Sequence, residues 1–238
     1  PLETNAVLGA YGIPVAPLHK AKNPAEAVAA ARKYTQAGQP VAVKILSSDI
    51  PHKSDVDGVR LNLTTEADVE GASASVIANA KRLRPQARID GVTVQPMVMR
   101  PRARELIAGL ARDPTFGTVV LFGHGGIAVE AVDDKALALP PLDMARAEAL
   151  ISRTRISRLL SAYRNVPAAR RDEVALVLVR LSQLAADLED ILELDINPLL
   201  ADADGVIALD ARIAIDLSAP RTETRRYPHF AIRPYPKD

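Results

Sequence analysis

Hydrophobic and polar positions are most informative in residues 40–63, PVAVKILSSDIPHKSDVDGVRLNL. Val41, Ala42, Val43, Ile45 and Leu46 form a short apolar run with Lys44 in its middle. A second β-rich run, Val59–Leu63, follows the turn signal Asp57-Gly58. The pattern predicts strand, polar loop, strand. Upstream, residues 2–11 read as a short helix closed by Gly12 and Pro14. Residues 15–18 read as a short strand. Asn23 is suited to cap a helix, with Pro24 at its first position and Glu26 at its third; that helix runs to about Ala37, with Gly38 as its stop. Thr65 with Asp68 opens a helix over residues 66–84, which ends before Pro85. Strand, helix, strand, strand, helix, strand predicts an α+β lobe with its helices on one side of a sheet.

From Gly91 the pattern turns mostly to strand. Residues 92–95 lead into 96–99, a strand ending in a hinge, and 104–110 and 118–122 are strands separated by the turn Asp113-Pro114. Gly123-His124-Gly125-Gly126 interrupts before a strand over 127–132, and Asp133-Asp134 makes another turn. Residues 143–152 and 167–186 are helical, the second with an apolar stripe of Val174, Leu176, Val177, Leu181 and Leu184. A strand over 191–196 is followed by a hairpin, 199–201 with 206–210, about Asp202-Ala203-Asp204-Gly205. Residues 219–238, rich in proline and arginine, read as a linker.

Composition narrows the classes. With 238 residues the chain can bury a sizeable core. Its net charge of +1, from 30 basic and 29 acidic residues interspersed along the chain, argues against a nucleic-acid binder, which needs a concentrated basic face. The absence of cysteine excludes disulfides, thiolate metal sites and cysteine nucleophiles. No apolar run approaches the roughly 18–20 residues of a membrane span, and no signal peptide is visible. The expectation is a cytoplasmic chain without membrane contact. It starts Pro1-Leu2-Glu3 and ends in a basic tail, as an excised piece of a longer polypeptide would.

Three places could carry chemistry. A lysine inside a strand must send its ammonium to an edge, a cleft or an anion. Lys44 is therefore either a snorkelling surface lysine or a phosphate ligand, with the following loop presenting His52 beside Lys53. In the hairpin, counting outward from Ala201 opposite Val206 sets Asn197 opposite Asp210, and a loop shorter by two keeps both side chains on one face. An amide oxygen and a carboxylate side by side suit Mg²⁺ completed by phosphate oxygens; the alternative is a turn-capping Asn and a solvated Asp. The glycine cluster followed by Glu130 lacks the context of a Rossmann fingerprint and the lysine of a P-loop, so a β-turn is its default. Glu105 is a ribose acceptor or a surface carboxylate. His124 and His229 look incidental.

Four segments, VKILSSDIPHKSDVDGVRLNL, GVTVQPM, ARELIAGLARDPTFGTVVLFGHGG and ELDINPLL with GVIALDARI, together resemble the β-subunit-type ATP-grasp domain of ADP-forming acyl-CoA synthetases. That family is related to the β subunit of succinyl-CoA synthetase. The resemblance covers about residues 2–215. It implies an α+β (α/β) ATP-grasp fold over residues 1–218, with two α+β lobes and a nucleotide cleft between them. The smaller lobe, roughly 15–90, would carry Lys44 and His52; the larger, 91–218, would carry the hinge and metal site. By similarity Lys44 contacts phosphates, the backbone around Gln95, Met97 and Val98 reads adenine, and Glu105 holds the ribose. Glu130 lies near the phosphates, and Asn197 and Asp210 bind Mg²⁺. His52 matches a histidine that receives a phosphoryl group from a phosphohistidine on another domain and passes it to ADP. A neutral imidazole is a competent nucleophile near neutral pH.

The resemblance also implies partners. The CoA-binding domains or α subunit, where CoA and the first histidine reside, lie outside this chain. Asp57 stands where a glycine is common, and His124 interrupts the usual glycine stretch. The tail YPHFAIRPYP resembles the segment that joins such a domain to a C-terminal GNAT acetyltransferase domain. Two readings follow. In one, the chain is the Mg-ATP/ADP-binding domain of an acid–CoA ligase (ADP-forming). In the other, it is a non-catalytic nucleotide sensor in a protein lysine acetyltransferase.

Overall fold

The computed structural model describes residues 1–50, 52–126 and 132–216. They divide into two compact units, one over Ala16–Met99 and one formed by Glu3–Val15 with the chain from Arg100 onward. Residues 127–131 of the expected strand, with Glu130, and the expected linker over 219–238 lie outside the described residues.

Helix α1 (Leu2–Ala10) opens the larger unit. In the smaller unit the order is β1 (His19–Ala21), α2 (Pro24–Thr35), β2 (Val41–Leu46), β3 (Val59–Leu63), α3 (Glu66–Leu83) and β4 (Gly91–Pro96). Both helix starts follow from their caps. Asn23 Oδ1 accepts from the Glu26 N–H at 2.9 Å, while Glu26 returns a carboxylate oxygen to the Lys22 N–H at 2.8 Å. Thr65 and Asp68 form a reciprocal capping box. The sheet is antiparallel, in the order β1-β4-β2-β3. Val41, Val43, Ile45, Val92 and Val94 form its buried core with Ala27 and Ala31 of α2 and with Val69, Val76 and Ala80 of α3. The alternate residues, Ala42 and Lys44, take the other face with their partners Gln95 and Thr93.

Two expectations are corrected here. Residues 15–18 are not a strand: Val15 makes a lone bridge to Ala208, and the edge strand is His19–Ala21. Pro17, which has no N–H to donate, explains the displacement. Strand β4, grouped by sequence with the larger lobe from residue 91, belongs to the smaller unit, because it pairs with β1 and β2.

The larger unit continues with β5 (Arg104–Asp113), β6 (Gly117–His124), β7 (Lys135–Ala138), α4 (Met144–Ser152), α5 (Arg171–Asp187), β8 (Ile191–Asp202), β9 (Gly205–Ala208) and β10 (Ala211–Ile215). Its antiparallel sheet runs β10-β8-β5-β6-β7, with β9 also paired to β8. Leu106, Ala108, Leu110, Val120, Phe122, Leu194 and Ile196 are buried with Val174, Val177, Leu178, Leu181 and Leu184 of α5 and with Leu8 of α1. The stripe read on α5 therefore faces the core, except for half-buried Leu176. The Tyr11 hydroxyl, just past α1, donates to Asp187 Oδ2 at 3.0 Å. The first two residues of the glycine cluster, Gly123 and His124, continue β6 rather than interrupting it; His124 lies opposite Leu106, and its N–H donates to Asp134 O at 2.9 Å.

Candidate functional site

The outward positions of the larger sheet bring four groups into one neighbourhood. Strand β8 pairs with β9 from Asp202 opposite Gly205 to Leu199 opposite Ala208. Beyond it the backbone contacts become irregular, as expected where Pro198 has no N–H to give. Leu209 N–H still donates to Pro198 O at 3.0 Å, and Asn197 N–H to Asp210 O at 3.1 Å. Asn197 therefore stands opposite Asp210, the register read from the sequence. Asn197 Oδ1 accepts from the Gly126 N–H at 2.8 Å. The next residue back, Gly125, donates its N–H to Glu105 O at 2.9 Å. The Glu105 carboxylate lies over Gly126: a methyl group there would come within 1.9 Å of Glu105 Oε2. Glu105, Gly126, Asn197 and Asp210 are thus linked through one glycine that only a side-chain-free residue at φ +83° could occupy in this way.

Sequence reasoning passed over two members of this neighbourhood, Gly126 as the link and Asp195. Asp195 shares the face of Asn197, two positions away on β8. Its carboxyl is pushed above the ordinary carboxylate range first by burial, then by the charges of Glu193 and Asp210, against an opposing pull from Arg212. The spacing of two along a strand was the available signal.

This donor set fits a hard divalent cation. Asn197 Oδ1 uses one of its two acceptor positions on Gly126 and keeps the other, while Asp210 Oδ1 accepts from the Ala211 N–H at 3.1 Å. Among the described residues no cluster of three or more His, Asp or Glu side chains could hold a metal. Water and phosphate oxygens are the ligands with which Mg²⁺ commonly completes such a set.

In the smaller unit, half-buried Lys44 sits in mid-β2, opposite Val59 of β3 and Thr93 of β4. Gln95 is buried opposite Ala42, on the same face. The expected adenine-reading backbone ends its strand at Pro96. The Met97 N–H donates to Pro40 O at 2.8 Å. His52 is exposed and stands immediately before a 3₁₀ turn, Lys53–Val56. Ile50 and Val56, on either side of it, are anchored in the core of this unit.

A lysine-bearing α+β unit is joined in one chain to an antiparallel sheet that opposes an amide to a carboxylate, as the resemblance to the ATP-grasp class implies. The profile of the ATP-grasp domain family matches residues 1–215, and the chain belongs to that family. Its relatives include ADP-forming acetate–CoA ligases. It is 36% identical over 214 residues to the acetate–CoA ligase (ADP-forming) I subunit beta of Pyrococcus furiosus, covering 90% of each chain. It is 39% identical over 209 residues to acetate–CoA ligase (ADP-forming) I of Archaeoglobus fulgidus, covering 88% of this chain and 30% of that protein. The chain thus spans about a third of such single-chain relatives.

A solved acetyl-coenzyme A synthetase 1 from Ca. Korarchaeum cryptofilum, in complex with coenzyme A and Ca-AMPCP, superposes with a TM-score of 0.84 at 38% identity, covering 90% of this chain and 92% of that one. The same enzyme has been solved with coenzyme A and Mg-AMPPCP, its phosphohistidine segment pointing towards the nucleotide-binding site; there the TM-score is 0.76 at 33% identity, covering 90% and 91% of the two chains. Among the described residues no helix is long and apolar enough to cross a membrane.

Proposed function

We propose that this chain binds Mg-ATP and Mg-ADP and carries a phosphoryl group on His52, as the nucleotide-binding part of an ADP-forming acid–CoA ligase. The observation that carries the proposal is the opposition of Asn197 and Asp210, tied through Gly126 to Glu105. Asn197 and Asp210 would hold Mg²⁺, which supplies charge neutralisation to phosphate oxygens when bound. Glu105 accepts hydrogen bonds from the ribose hydroxyls, Lys44 and Lys53 attract the phosphates, and the backbone near Gln95 and Val98 meets the base. The CoA-binding domains or an α subunit supply CoA, the acid and the first phosphohistidine.

The transfer balances in two steps. A lone pair on the neutral His52 imidazole attacks phosphorus, and the donor histidine's N–P bond breaks. The donor nitrogen keeps that electron pair and takes up a proton. A terminal phosphate oxygen of ADP then attacks the phosphorus on His52, the His52 N–P bond breaks with its electron pair left on the nitrogen, and ATP and the neutral imidazole result.

Titration calorimetry with Mg-ADP, combined with labelling by γ-phosphate-labelled ATP, tests this. Micromolar affinity, about −8 kcal/mol, should weaken in Asp210→Ala. The label should be acid-labile and absent from His52→Ala, which should retain the nucleotide affinity. Absence of heat with either nucleotide would overturn the reading.

A further inference from the structure

Asp57 closes the 3₁₀ turn that begins after His52, and it does so in the left-handed region, at φ 50° and ψ 40°. Aspartate tolerates this conformation better than most residues. It also does what glycine cannot. Arg60 grips its carboxylate with two parallel bonds, Nη1 to Oδ1 at 2.8 Å and Nη2 to Oδ2 at 2.7 Å, and Arg60 Nη1 also donates to Asp57 O at 3.0 Å. Asn79 Nδ2 donates to Asp57 Oδ2 at 3.0 Å, and Arg60 Nη2 reaches Ser75 Oγ at 3.4 Å. Ser75 and Asn79 are one helical turn apart on α3, so both contacts fall on one stripe of that helix.

The turn itself is held by short backbone bonds. Asp55 N–H donates to His52 O at 3.2 Å, Asp57 N–H to Ser54 O at 3.0 Å, and Gly58 N–H to Lys53 O at 2.9 Å. The path from the α3 surface to His52 is therefore continuous. It runs from Asn79 and Arg60 to the Asp57 carboxylate, and through a closed turn to the residue before it. A lone surface ion pair contributes little, but a bidentate pair with further partners fixes geometry.

We propose that Asp57, gripped by Arg60 and Asn79, is a positioning residue for His52, on the reading that His52 carries the phosphoryl group. The clamp fixes the exit of the turn against α3 and so limits where the imidazole can stand. Asp57→Gly keeps the left-handed backbone and removes the clamp. Arg60→Gln removes it from the other side, and Asp57→Asn keeps part of it.

Two readouts on the full chain decide the matter. Amide hydrogen exchange at residues 55–58 should accelerate about tenfold in Asp57→Gly and Arg60→Gln, because local opening sets that rate. Labelling of His52 by γ-phosphate-labelled ATP should slow about tenfold, since small misplacements of a reacting group are costly. The Mg-ADP affinity and thermal midpoint should stay near those of the wild type. The double variant should be no slower than either single, and Asp57→Asn should lie between. Unchanged exchange would overturn the clamp, and faster exchange with wild-type labelling would overturn its positioning role. If the wild type takes no label at all, the phosphoryl-carrier reading fails instead, and exchange alone still judges whether the clamp holds the turn.

Discussion

Replacing Gly126 by alanine separates the nucleoside contact from the metal pair, because the two depend on different atoms of one residue. The N–H that bonds Asn197 Oδ1 survives in Gly126→Ala, so the Asn197/Asp210 pair should stay as it is. The new methyl, by contrast, falls 1.9 Å from Glu105 Oε2, and the carboxylate must swing away. Its backbone sits at φ +83°, where an L-residue costs about 1–2 kcal/mol. For a domain of this size each kcal/mol lowers the melting temperature by about 2–4 °C, so the protein should still fold. Gly125→Ala is the contrast: its methyl meets the Leu106 backbone at 2.3 Å, which cannot step aside, and that variant should fail to fold.

If Glu105 accepts from a ribose hydroxyl, Gly126→Ala removes a hydrogen bond to a charged group, worth about 1.5–3 kcal/mol. That is about a 10- to 150-fold loss in affinity for Mg-ADP by calorimetry. Glu105→Ala should lose as much, and the double variant should lose no more than either single. A folded Gly126→Ala that binds Mg-ADP as tightly as wild type would refute the placement of Glu105 at the nucleoside.

Two further outcomes test the framework around the site. Thr65→Ala removes the acceptor for the Asp68 N–H, and guanidinium unfolding should show a loss of about 1 kcal/mol with an unchanged slope, restored by Thr65→Ser. Tyr11 is pushed from the ordinary 10.0 up to about 12, first by burial and then by its hydrogen bond to Asp187 and that carboxylate's charge. The folded state then holds a proton that the unfolded state loses. The resulting stability is complete below the lower value and disappears as the pH rises through the higher one. Ultraviolet titration should find Tyr11 ionising late, and Asp187→Asn should bring it back toward the ordinary value.

Much of this architecture could be read in the sequence because the deciding interactions are local. Asn23 with Glu26, and Thr65 with Asp68, are caps within one turn of chain. The opposition of Asn197 and Asp210 needs only the parity of a strand and a single hairpin. What escaped the reading is settled by partners distant in sequence. Strand Lys135–Ala138 is only 4 residues long, and β6 recruits it as a neighbour. Pro198 disguised β8 as two strands, although the chain stays extended across it. The contact of Glu105 with Gly126 arises only when β5 pairs with β6, and the shift at Asp195 only when Glu193, Asp210 and Arg212 gather around it. The dipeptide Asp57-Gly58 signals a turn in the sequence, but not that the aspartate rather than the glycine takes the left-handed backbone.

From Gly205 to Ala214, strands β9 and β10 meet β8 in a single register, which shifts at Ile215. Ala208 stands opposite Leu199 and Ala211 opposite Ile196, so the count across the intervening Leu209 and Asp210 is never broken. This makes the chain unequally tolerant of insertions and deletions. Lengthening the tip at Ala203-Asp204 leaves both arms in step. One residue added or lost between Val206 and Leu209 would turn Asp210 to the opposite side of the sheet, away from Asn197. The turn can therefore change in length without disturbing the site, whereas the number of residues between it and Asp210 cannot change.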